Sequence, residues 1–259
     1  MWAEGFLELC GAAARQQGLV TSAQARRIGV DDAAVGHLAD AGLLVELDWD
    51  VHQVAGSVTA PRYAYPYAAW LAISPELFAW ERPTAVAEDA VLSHESACAL
   101  YGLAAPPAPT MVFTAGRDRP APRAIRVHVA PLTPADVAVH RGVPVTTPER
   151  TVLDLVRDGT AHATVGRVIA DAVRLDLVDL ADLHAAVAPL AALPVDGAGF
   201  VEYLAPWLGP GLLSPRNLRA YAHLRFPDRV AMVRAEILPV TGAGELGWDV
   251  AAEIVARRG

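Results

Sequence analysis

The chain has 259 residues, enough to bury a sizeable core, and its 53% hydrophobic and 19% charged content excludes wholesale disorder. All 21 basic residues are arginine, which excludes chemistry that depends on lysine: Schiff bases, P-loop phosphate clamps and nucleases with an active-site lysine. With 29 acidic residues the net charge is −8, which argues against non-specific coating of nucleic acid and leaves room for a local basic footprint.

The first 58 residues predict three short helices followed by a strand pair. Phe6, Leu7, Leu9, Ala12 and Ala13 begin an amphipathic helix that stops near Gly18. Thr21 or Ser22 caps a second helix, 23–28, broken by Gly29 as a tight inter-helix turn requires. Asp31 and Asp32 start a third, with Val35, Leu38 and Ala39 as its buried stripe and Gly42 at its end. Residues 43–54 then alternate as two strands joined at Asp48-Trp49-Asp50. This layout predicts a winged helix-turn-helix over residues 1–58.

Residues 57–66 read as a linker, and residues 65–259 as a second domain of α+β class. Helices are expected over 67–73 and over 91–103, the latter capped by Ser93. Strands are expected over 111–114 and 124–130, flanking a hairpin turn at 116–122, with a third near 139–145. Thr146-Thr147-Pro148-Glu149 has capping-box spacing and opens a helix. Helices follow near 162–174 and 180–187, irregular chain over 189–210, a helix from Ser214-Pro215 to Leu224, a strand over 230–240 and a last helix over 248–257.

Several chemistries lack their residue patterns. The eight histidines show no i, i+4 pair and the two cysteines, Cys10 and Cys98, are far apart, so neither a metal site nor a disulfide framework is expected. Ser93 and His94 are neighbours that a helix would turn apart, and no nucleophile elbow exists. A metal-dependent nuclease stays open as an alternative through Asp228 and Glu236, which bracket the expected 230–240 strand, with Arg234 in the role of the missing lysine. The charge-free stretch 96–116 contains three prolines, so no membrane helix is expected, and Glu4 and Glu8 stand where a secretory leader carries positive charge. A cytoplasmic protein is expected.

Candidate DNA contacts follow from the layout. Arg26 and Arg27 lie on the supporting helix, Ala33 and His37 on the exposed side of the recognition helix, and His52 on the wing. Arg117, Arg119, Arg123 and Arg126 crowd into ten residues and form a candidate phosphate-contacting patch. Against this, residues 1–58 hold three arginines and eight acids, and the recognition helix opens on Asp31 and Asp32. That acidity favours the rival reading of a protein-interaction module that does not bind DNA.

Three stretches resemble the AbiEi-type antitoxin family. They are Gly18-Leu-Val-Thr-Ser-Ala-Gln-Ala25 leading to Gly42-Leu-Leu44, then Val91-Leu-Ser-His-Glu-Ser-Ala97 ending at Leu100-Tyr-Gly-Leu103, and Gly142-Val-Pro-Val-Thr-Thr-Pro-Glu-Arg-Thr-Val-Leu-Asp-Leu155. The resemblance implies the antitoxin of a toxin–antitoxin system tied to phage defence, a non-enzymatic transcriptional autorepressor without cofactor. It implies double-stranded promoter DNA as partner, bound by a homodimer on inverted repeats. The nucleotidyltransferase-like toxin would be a functional partner, not necessarily a physical one. Carried onto this sequence, the base-reading helix is 32–40 and the wing 45–54, with Asp50-Val51-His52-Gln53 in place of the family's Gly-Val-Tyr-Arg-like strand. Gly142, Thr147, Arg150 and Asp154 match as structural positions, the last two as an i, i+4 pair.

Overall fold

A computed structural model describes residues 2–258 as a mixed α+β protein with two sheets. The chain divides into two compact units, residues 1–100 with 107–147, and residues 101–106 with 148–259. The expected boundary between 58 and 65 lies inside the first of these units.

In the first unit, helix α1 (Trp2–Ala14) leads into β1 (Leu19–Thr21), α2 (Ser22–Arg27), α3 (Asp32–Asp40), β2 (Leu44–Asp48) and β3 (Val51–Val54). Thr21 caps α2 in a reciprocal capping box with Gln24, and Asp31 caps α3 by accepting from the Ala34 amide. Leu9, Val20, Ala25, Val30, Val35, Leu38 and Leu44 close one apolar core beneath these elements. The sheet has the order β1-β3-β2, antiparallel throughout. β1 escapes the sequence reading because three residues carry no periodicity of their own.

Helix α4 (Pro61–Ile73) takes in residues 61–66 of the expected linker, whose residues 57–60 stay irregular, and so begins six residues before the expected 67–73 helix. Pro61 sits in the first turn, where its missing N–H costs nothing, and Pro66 gives up one helical bond inside a buried face. A five-stranded sheet then forms in the order β6-β5-β4-β8-β7, from β4 (Val91–Leu92), β5 (Met111–Ala115), β6 (Ile125–Val129), β7 (Val137–His140) and β8 (Val143–Thr146). The expected 91–103 helix begins later, as α5 (His94–Tyr101), since Val91 and Leu92 are taken by the sheet. The expected single strand near 139–145 is a hairpin, β7–β8, turning at Arg141 and Gly142, both with positive φ.

The second unit is helical: α6 (Pro148–Arg157), α7 (His162–Arg174), α8 (Leu180–Val187), α9 (Gly197–Leu204), α10 (Pro215–Arg225), α11 (Pro227–Thr241) and α12 (Glu245–Arg258). Helix α9 lies in the stretch read as irregular. Asp196 caps it by accepting from the Gly199 amide, and Phe200, Val201 and Leu204 are its buried side. The expected 230–240 strand is part of α11. Val230 and Arg234 are buried and Val233 and Ile237 partly so, a 3.6-residue period that outweighs the β-branched composition. Ala222, Val230, Ala251, Ala252 and Val255 form the core where α10, α11 and α12 meet.

Candidate nucleic-acid interface

All nine candidate DNA-contacting residues fall in the first unit, yet the fold treats them differently. On α3 the exposed side carries Asp32, Ala33, Gly36, His37 and Asp40, with Val35 and Leu38 buried beneath. Ala33 and His37 are therefore displayed as expected, framed by carboxylates. Arg26 is exposed on α2, but its Nη1 donates to Asp32 Oδ1 at 2.7 Å. Arg27 is tied more firmly, with a fork to Glu81 at 2.6 and 2.9 Å, a further bond to the Glu76 carbonyl, and its guanidinium 5.0 Å from the Phe78 ring centroid. The Arg27 fork, aided by the Phe78 amide, holds the Glu81 carboxyl down at about 2.

His52 does not reach solvent as a wing residue would. It lies on the central strand β3 and is 6% exposed. Its Nε2 is 3.0 Å from Ser22 Oγ, and Nδ1 has no partner. Burial lowers its pKa below the ordinary 6.5, opposed by Glu46 and Asp50. Val51 and His52 are both buried, so neither face of β3 is open to solvent at its start, and the bulge between Glu46 and Asp48 shifts the register that sequence inspection assumes.

The arginine-rich segment is the larger correction. Strands β5 and β6 pair in parallel, Met111 opposite Ile125 through Ala115 opposite Val129, so 116–124 is a crossover and not a hairpin turn. The segment must run back along the sheet, and Pro120 and Pro122 keep it extended enough to do so. Residues Arg117 and Arg123 consequently lie toward opposite ends of β5, roughly 15 Å apart by the rise of a five-residue strand. Closeness in sequence becomes separation in space. Arg119, in between, is an anchor: it donates to Asp89 Oδ1 at 3.2 Å and to the Glu88 carbonyl at 2.7 Å. Burial pulls its pKa below arginine's usual range, against the pull of Asp89 and with the help of Arg117 and Arg82. Arg117 and Arg126 are exposed without a carboxylate partner among the described residues.

Arg123 meets the β2–β3 turn. Its Nη2 donates to Asp48 Oδ1 at 2.7 Å, and the Trp49 indole N–H donates to the Arg123 carbonyl at 2.7 Å. Trp49 and Asp50 both have φ of 55°, positions where Asn-Gly is the favoured pair. The indole bond accounts for a tryptophan in that unfavourable place. Arg26, Trp49, Asp50 and Pro122 line one small depression of about 250 Å³, so α2, the turn and the crossover share a surface. Trp49, Asp89 and Glu81 were missed by sequence reasoning: Trp49 and Glu81 act through partners more than 50 residues away, and Asp89 joins nearby Arg82 to the remote Arg119.

Other sequence expectations can be placed. Asp228 and Glu236 are exposed on α11, eight residues and about 12 Å apart along its axis, so they do not converge on a metal. Arg234 is buried and donates to the Gly242 carbonyl at 2.7 Å, closing the end of that helix. His94 has φ of 52°, which turns its ring back so that Nδ1 lies 2.9 Å from Ser93 Oγ, contrary to the expected divergence. Both are buried, Thr114 donates to the same serine hydroxyl, and the His94 ring stacks on His128 at 4.4 Å. The Arg150–Asp154 pair forms as expected, at 2.7 Å.

No protein-family model matches the sequence. No curated protein matches it either. Among solved structures, the crystal structure of RV2827C protein from Mycobacterium tuberculosis is similar, with a TM-score of 0.46 and 19% identity over 85% of this chain and 80% of that one. A likeness at this level assigns no function.

Proposed function

We propose that this chain is a DNA-binding transcriptional autoregulator of antitoxin type, whose residues 2–54 act as a winged helix-turn-helix on double-stranded promoter DNA. The observation that carries the reading is the element order helix, strand, helix, helix, strand, strand, with β1 completing a sheet of order β1-β3-β2. In that arrangement α3 presents Ala33 and His37 to the major groove, and the β2–β3 hairpin is the wing. The cations nearest the wing are Arg26 and Arg123, each held by a carboxylate of the same face. Binding then exchanges Asp32 and Asp48 for backbone phosphates, an exchange that leaves affinity modest and salt-sensitive. Two copies on inverted half-sites supply the remaining specificity. His52 and Arg119 leave the list of contacts and become supports.

A gel-shift titration against the DNA upstream of the reading frame tests this at low salt. A specific shift is expected, with Arg123→Ala reducing the salt slope by about one unit and Arg119→Ala acting mainly through stability. A shift indifferent to Arg26 and Arg123 rejects the assigned face. The second reading, a docking module without DNA binding, is favoured by one observation: Asp31, Asp32, Asp40 and Glu46 are all exposed on that face. Absence of any shift up to micromolar protein supports it. The toxin partner and the antitoxin role share the same test through the neighbouring reading frame, where a nucleotidyltransferase-like gene is expected.

A further inference from the structure

A cleft of about 400 Å³ in the first unit lies between the start of α4, the outer side of α5 and the segment 107–111. Tyr65, Pro66, Ala99, Leu100, Pro107 and Met111 make it largely apolar, and its size is within the range of small-molecule sites. Two charged side chains line it, Arg62 from α4 and Glu95 from α5. They are opposite in sign, yet they form no ion pair with each other or with any other described residue. Unlike Arg26, Arg27, Arg82, Arg119 and Arg123, which meet carboxylates, Arg62 faces a cavity that also carries an opposite charge.

Arg62 is tied to the last turn of α5, and Glu95 stands in its first turn. Arg62 Nη2 donates to the Leu100 carbonyl at 3.3 Å, a long bond that leaves its other donors available. Glu95 is five residues earlier, roughly 7.5 Å along the helix axis. A gap of that order is too wide for direct pairing. It fits a molecule that carries both charges. Outside the cleft, Arg62 and Arg141 both stand by the Tyr63 ring, at 5.0 and 5.3 Å from its centroid. Both arginines, after burial, push the pKa of neighbouring His140 down. At the other end the Glu95 field reaches inward: together with burial, the larger cause, it raises the Cys98 thiol to about 12.

We propose that this cleft binds a small zwitterion with an apolar body, an apolar α-amino acid being the simplest member of the class. The carboxylate is taken by Arg62, the ammonium by Glu95, and the side chain by the surface of Tyr65, Pro66, Ala99 and Met111. The assignment is independent of the DNA reading and stands or falls without it.

Isothermal titration of the full chain with L-phenylalanine and L-leucine tests it. Saturable binding between micromolar and low millimolar is expected. 3-Phenylpropionate, which lacks the ammonium, and 2-phenylethylamine, which lacks the carboxylate, should each bind about tenfold or more weakly. Arg62→Gln should erase the preference for L-phenylalanine over the amine while keeping its preference over the acid, and Glu95→Gln should do the reverse. No saturation by either amino acid up to roughly 10 mM overturns the proposal, as does equal binding of all three phenyl compounds. The comparison of ligands on the unaltered chain decides the matter even where a variant fails to fold.

Discussion

The two units bury their polar groups in contrasting ways. In the first, both the sheets and the short helix α2 depend on bonds between distant stretches of chain. Gln16 donates to Gln24 at 2.5 Å, Gln24 to the Leu77 carbonyl at 2.7 Å, and Thr21 to the Pro75 carbonyl at 2.6 Å. Arg82 and Asp89, both 2% exposed as side chains, pair at 2.7 Å; Arg82 also donates to the Trp70 carbonyl and lies 4.1 Å over the Trp70 ring. In the second unit the buried pair Arg150–Asp154 is local to one helix, and the fully buried Asn217 ties several elements together. Asn217 accepts from the Leu180 amide and donates to the Val173 and Val178 carbonyls and to Asp176. A helical bundle satisfies its backbone within each helix and needs few such ties, whereas a six-residue helix is held by its surroundings.

The contrast can be broken where it is strongest. Asp89→Ala leaves the Arg82 guanidinium buried without its counter-ion and frees Arg119, and a loss of about 3–5 kcal/mol is expected in urea denaturation. A loss under about 1 kcal/mol would show that the pair merely fills space. Asn217→Ala orphans the Leu180 amide and removes one donor each from the Val173 and Val178 carbonyls, which keep the Asp176 amide and Arg216, and a loss of about 1–3 kcal/mol is expected by the same measurement. Gly142→Ala tests the β7–β8 turn: φ is +80°, and the added Cβ would approach Gln17 Nε2 and Tyr67 Cε2 at 3.1 Å. A loss of about 1–2 kcal/mol is expected, with the second unit's Arg150–Asp154 pair unaffected.

The smallest effect concerns pH. Burial lowers His52 and His140 in the first unit, and His223 in the second, below the ordinary 6.5. The unfolded chain therefore binds more protons as pH falls through about 6.5, and the folded state loses stability on acidification. A melting temperature a few degrees lower at about pH 5.5 than at about pH 7.5 is expected, with the difference reduced in His52→Gln. An unchanged difference in that variant would assign the effect to the other two histidines.

Legibility followed the range of the forces involved. The caps of α2 and α3, the limits of α7 and α8, and the Arg150–Asp154 pair were readable because each is settled within a turn or two of helix. The arginine-rich segment was misread because its spacing fits a hairpin as well as a crossover, and only the neighbours of β5 choose between them. His52 looked like a wing contact because nothing local reveals that β3 is the central strand. The candidate interface was thus legible as a set of residues and illegible as a surface.

Composition determined the lack of lysine and the acidic balance, and the order of caps and apolar residues placed most helices, since charge and local propensity need no knowledge of the partner strand. Tertiary structure decided which arginines are anchors and which are displayed. The physical reason is that a guanidinium's role depends on whether a carboxylate folded in from elsewhere is waiting for it. For Arg27, Arg82, Arg119 and Arg123 one is; for Arg62, Arg117, Arg126 and Arg141 none is among the described residues.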